Sequence, residues 1–99
     1  SKMNLGIGYL HTNRINEAES LIIDGYNKVV EIHSENTLER AIADHQFGIL
    51  NIKKGNYQLA GLHLEKSLNA FKTLERNESA RSKIVLNDIQ MLKQVALSE

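Results

Sequence analysis

Residues 44–60 read DHQFGILNIKKGNYQLA. Gly48 follows Phe47 inside an apolar run, Lys54-Gly55-Asn56 breaks that run, and Tyr57 and Ala60 stand three apart just beyond it. A residue without a Cβ leaves room for a neighbouring backbone, so Gly48 thins one helix where another approaches. Gly55 supplies the turn, since glycine most readily ends a helix in the left-handed conformation. Tyr57 and Ala60 then share one side of a second helix and face the first. The stretch predicts a helical hairpin, and a weaker version of it lies upstream at residues 4–18.

Shifting the chain by 42 residues superimposes the two. Gly6 falls on Gly48, Ile7 on Ile49, Asn13 on Gly55, Ile15 on Tyr57 and Ala18 on Ala60; further along, Ile22 falls on Leu64, Tyr26 on Leu68 and Val29 on Phe71. The next shift carries Ile42 onto Ile84, His45 onto Asn87, Ile49 onto Met91 and Leu50 onto Leu92. A period of this size built from a helix pair signals an α-solenoid. The expected fold is all-α, with antiparallel helix pairs: a first repeat over about 2–34, a second over about 37–76, and a half repeat or capping helix over about 78–97.

Composition agrees. The 99 residues contain no proline and no cysteine, 41% are hydrophobic and 24% charged, and 12 Lys and Arg balance 12 Asp and Glu. Proline interrupts helix interiors and is common at the turns of loop-rich chains, so its absence favours helix. Without cysteine there is no disulfide scaffold and no thiolate chemistry, which fits a reducing, cytoplasmic setting. The neutral charge balance gives no reason to expect nucleic acid as a partner. No apolar stretch approaches the roughly 20 residues needed to span a bilayer. The chain enters its first helical pattern without a lead-in, as expected of a piece of a larger protein.

Five helices are predicted. The first, over about 2–12, has Met3, Ile7 and Leu10 on one face and Leu5 and Tyr9 on another, implying burial from two sides. The second runs to about residue 33 from an N-cap at Asn16, with Glu19 three residues on. Gly25 within it implies a close helix crossing, because a mid-helix glycine otherwise costs up to about 1 kcal/mol. Asn36 with Glu39 repeats the capping pattern before a helix over 37–53. The fourth helix, over 57–75, has Leu59, Leu62, Leu64, Leu68 and Phe71 on its buried sides. Asn77 or Ser79 caps a fifth, which carries Ile84, Leu86, Ile89, Leu92 and Val95 to about residue 97.

Leu5-Gly6-x-x-Tyr9 followed by Asn13-x-Ile15-x-x-Ala18, and Phe47-Gly48 followed by Gly55-x-Tyr57-x-x-Ala60, resemble the tetratricopeptide repeat. That motif reads Leu-Gly-x-x-Tyr, then Gly-x-Tyr-x-x-Ala. The resemblance covers residues 4–71 by motif and 78–97 by periodicity. The period is 42 rather than the usual 34, Asn51 replaces a tyrosine, and no proline ends either second helix. The long repeat is similar to those of kinesin light chains and of bacterial peptide-sensing regulators.

Little in the sequence suggests catalysis. No two of the four histidines stand at metal-binding spacing, and no nucleophile elbow, P-loop or dinucleotide fingerprint occurs. His33 suits a helix C-terminus, and His63 is expected half-exposed. No enzymatic activity, metal or cofactor is expected.

A surface is the better candidate. In tetratricopeptide arrays the first helix of each pair lines a concave groove that receives a peptide or partner helix. The resemblance places Ile7, Leu10 and His11 in that groove, with Ile42, His45, Ile49, Ile52 and Lys53 from the third helix and Asn87, Met91 and Gln94 from the fifth. Ile42, Ile49 and Ile52, at i, i+7 and i+10, make an apolar stripe of the kind that marks an interface, and His45 and Asn87 are placed to hold a peptide backbone. The implied function is non-enzymatic protein or peptide binding, in its sharper form as the ligand-sensing part of a bacterial transcriptional or signalling regulator. The alternative is an architectural segment that self-associates through the same face as a homo-oligomer.

Overall fold

The computed structural model describes residues 2–75 and 80–98, with backbone only for Lys2, Glu75 and Ala80. Its described residues form five α-helices and no strand: α1 Lys2–His11, α2 Ile15–Ile32, α3 Leu38–Lys54, α4 Tyr57–Glu75 and α5 Ala80–Ser98. Each helix packs on its neighbours in sequence, and α3 also touches α1 and α5. Such nearest-neighbour packing is the plan of a helical-repeat array.

The 42-residue shift reappears as geometry. Asn13 and Gly55, one shift apart, end α1 and α3, and both have left-handed backbones, at φ 59° and 83°. At the first turn the Arg14 N–H donates to Tyr9 O (2.9 Å) and that of Asn13 to Leu10 O (3.2 Å). At the second, the Asn56 N–H donates to Asn51 O (2.8 Å) and that of Gly55 to Ile52 O (3.0 Å), each atom one shift from its counterpart. This double bond satisfies carbonyls that a helix C-terminus otherwise leaves open. The next helices begin alike, with Ala18 N–H on Arg14 O and Ala60 N–H on Asn56 O. Both alanines are fully buried.

The helix crossings repeat too. A Cβ on Gly6 would lie 3.0 Å from Ile22, and one on Gly48 2.7 Å from Leu64, again the matched pair. Gly25 is a third close approach, as expected from its mid-helix position: a Cβ there would lie 2.9 Å from that of Met3.

Two cores result. Met3, Leu10, Ala18, Ile22, Ala43 and Leu50 form one, between the first pair and α3. The other joins α3, α4 and α5 and includes Ala41, Ala60, Leu64, Leu68, Phe71, Val85, Ile89 and Leu92. Because α3 supplies both, it is the helix around which the array is built.

Several expectations are corrected. The α2 N-cap is Arg14, without a side-chain cap bond, rather than Asn16. The α3 N-cap is Thr37, whose hydroxyl accepts from Arg40 N and donates to Ser34 O; Asn36 instead takes the left-handed turn at φ 63°. Both asparagines were displaced from the cap by tight turns that begin the helix elsewhere. Leu5 of α1 is exposed, as are Leu59 and Leu62 of α4 and Ile84, Leu86 and Val95 of α5, whereas Val85 is fully buried. These helices bury one side against their neighbours and turn the other outward. The expected caps Asn77 and Ser79 lie outside the described residues. Among the described residues no helix is long and apolar enough to cross a membrane.

Candidate binding groove

Two recesses lie along α3, on the side where α1 and α5 flank it. The first, about 280 Å³, is lined by Leu10 and His11 of α1, Ile49, Ile52 and Lys53 of α3, and Asp88 and Met91 of α5. Six of these seven residues were expected there; Asp88 was not. The second, about 240 Å³, lies further along α3 and is lined by Ile42, His45 and Gln46 together with Phe71, Arg81 and Ile84.

The stripe is less open than its periodicity suggests. Leu10 is fully buried, so it forms floor rather than wall. Ile42 and Ile52 are half-buried against the second core, and Ile7 and Ile49 against the first. The most exposed apolar groups of the groove belong to α5, where Met91 is 61% and Ile84 52% exposed. Ile7, Asn87 and Gln94 line neither recess. His11 is exposed at the rim. Lys53 donates its ammonium hydrogen to Asn13 Oδ1 (2.9 Å), and the neighbouring Lys54 pairs with Glu19, so both lysines tie the end of α3 to the first pair.

His45 is not available in the form expected. Its Nε2 lies 2.6 Å from Asp88 Oδ2, and the pair bridges α3 and α5 between the two recesses. Asn87, one residue away, is exposed. The helical stripe Ile84, Asp88, Met91 (i, i+4, i+7) was the available sign that Asp88 shares this face. Gln46, deeply buried beside His45, has an Oε1 without a partner among the described residues. A buried acceptor in that state is rare in a folded protein.

A second polar cluster lies on the opposite side of α3. His63, expected half-exposed, is buried, and its Nδ1 sits 2.8 Å from Asp44 Oδ1. Tyr26 donates its hydroxyl to the same oxygen (2.8 Å). Phe47 stacks on the Tyr26 ring at 4.7 Å and meets the His63 ring edge-on at 4.6 Å. Burial, then the hydrogen bond to Asp44 and its negative charge, hold the Tyr26 phenol well above the usual tyrosine range, with Arg40 opposing. Ser67, one turn beyond His63, donates its hydroxyl to Ala41 O (2.7 Å). The cluster ties α2, α3 and α4 together. No periodic signal announces it, since Tyr26, Asp44 and His63 are single polar residues on three different helices.

Asn51, where the motif has tyrosine, is buried and donates its amide hydrogen to Phe47 O (2.8 Å) within α3. His33 is the α2 C-cap and lies 3.7 Å from Glu39. Among the described residues no group of three or more His, Cys, Asp or Glu is placed to hold a metal ion. Compared with protein-family models, with curated proteins and with solved structures, the chain matches none.

Proposed function

We propose that the chain is a tetratricopeptide-type array whose α1–α3–α5 face binds a protein or peptide, without enzymatic activity. The observation that carries this reading is the first recess, where residues from three separate helices surround one apolar hollow with polar groups at its edge. Small apolar hollows with a few polar groups are what a peptide side chain requires. A ligand-sensing segment of a bacterial transcriptional or signalling regulator, working in the cytoplasm, is the sharper form.

Ile49 is a poor place to test this, because it packs on the first core. Met91 is exposed, so Met91→Lys blocks the recess without disturbing the interior. Panning a random linear-peptide library on the purified chain is expected to enrich sequences with an apolar anchor that the Met91→Lys variant fails to retain. Enrichment indifferent to that substitution would sink the groove.

The outward-facing Ile84, Met91 and Val95 favour a second reading, self-association through the same face. Size-exclusion chromatography with light scattering separates the two: a dimer that Met91→Lys converts to monomer supports it, and a monomeric parent chain rules it out.

A further inference from the structure

On the side of α3 away from the groove, the turn before that helix and the face of α4 enclose a recess of about 180 Å³. It shares no residue with the two groove recesses. Arg40 and Lys66 supply two cations, and Asn36 and Asn69 supply amides. Arg40 spends one guanidinium N–H on His33 O (3.1 Å), while its buried Nε has no acceptor among the described residues. Nor does any hydrogen bond or ion pair engage the side chain of Lys66, Asn36 or Asn69 among the described residues. A buried N–H without an acceptor is rare in a folded protein and calls for one.

The charges narrow the class of ligand. Glu35 and Asp44 also line the recess, offsetting the two cations. Asp44 already receives Tyr26 and sits against His63, so it is not the missing partner of Arg40 Nε. With two carboxylates matching two cations, repulsion grows with the ligand's charge, so a monoanion is favoured over a dianion. A guanidinium and an ammonium lining one recess suit the planar oxygens of a carboxylate. Ala70 adds an apolar wall, and the volume exceeds that of a bare carboxylate group. We propose that this recess binds a small aliphatic monocarboxylate, held by the Arg40 guanidinium and Lys66 Nζ. The proposal is independent of the groove.

The test is NMR titration of the Arg40 Nε–Hε resonance with acetate, inorganic phosphate and chloride at constant ionic strength. Acetate is expected to shift that resonance saturably, phosphate more weakly, and chloride only in a linear, unsaturated way. Lys66 is exposed, so Lys66→Gln keeps the fold and removes one of the two cations; it is expected to weaken acetate about three- to tenfold, the range of one charge-assisted bond at a partly solvated site. An acetate shift that fails to saturate, that chloride reproduces, or that Lys66→Gln leaves unchanged overturns the proposal. Phosphate binding as tightly as acetate overturns the carboxylate assignment.

Discussion

The pairs α1–α2 and α3–α4 have the same turn and the same glycine crossing but differently furnished interiors. Matched by the 42-residue shift, half-buried Tyr9 stands opposite buried Asn51, half-buried Leu21 opposite buried His63, and Gly25 opposite Ser67. In the first pair Gly25 admits the Met3 backbone; in the second the Ser67 hydroxyl reaches the Ala41 carbonyl. The difference follows from position. The second pair is packed on both flanks, by α2 and by α5, so polar groups placed inside it find partners on another helix. Repetition thus fixes how the backbone turns, while each pair's neighbours decide which side chains its interior accepts.

Four measurements test the difference between the two pairs. The largest effect is expected from Asp44→Ala, which leaves the Tyr26 hydroxyl and His63 Nδ1 without their shared acceptor and costs about 2–4 kcal/mol in urea unfolding. Leu21→Ala, at the first-pair counterpart of His63, is expected to cost only about 1 kcal/mol because that leucine is half-buried. Equal costs would mean that the buried polar cluster adds nothing special to the second pair.

Alkaline pH gives the next effect. The fold raises the Tyr26 pKa, so it favours the protonated phenol. That contribution is complete below about pH 10, where tyrosine is protonated in the unfolded chain as well. It is lost as pH rises toward the folded value, at up to about 1.4 kcal/mol per pH unit. Stability measured from pH 9 to 12 is expected to fall more steeply for the parent than for Tyr26→Phe, and parallel curves would contradict the raised Tyr26 pKa.

Smaller effects separate crossing glycines from idle ones. Gly48→Ala is expected to destabilise by about 1–2 kcal/mol, since overpacking against Leu64 exceeds the gain in helix propensity. Gly8→Ala, with nothing within 4 Å, is expected to stabilise α1 by up to about 1 kcal/mol. Finally, Gly55→Ala places a Cβ in the left-handed conformation at a cost of about 1 kcal/mol, while Asn13→Gly in the matched turn stays within about 0.5 kcal/mol. Thermal melts of the four variants read all of these.

The helices, their order and their close crossings were legible because each leaves a periodic or local trace: apolar spacing, Gly48 and Gly25 within helical runs, Gly55 at a break. Capping was misread at Asn16 and Asn36 because asparagine serves equally as a cap and as a left-handed turn residue, and only the backbone distinguishes them. Leu59 and Leu62 looked buried because an all-round apolar pattern does not say which sides have neighbours. The groove was partly legible: the stripe on α3 was visible, but its half-burial and the capture of His45 by Asp88 depend on how α3 and α5 are juxtaposed. The Tyr26–Asp44–His63 cluster and the recess beside Arg40 arise from residues far apart in sequence, and neither could be read from any one helix.

Asp44 has a consequence for how the chain opens and closes. In a linear array each unit's stability is nearly its own, and cooperativity rests on what crosses the boundary between units. Asp44, on α3, takes one bond from α2 and faces one group on α4, so a single carboxylate spans the boundary between the pairs. With it the two pairs are expected to exchange their amide hydrogens as one unit. Without it, the first pair is expected to open first, because its boundary with the second has lost a buried polar tie.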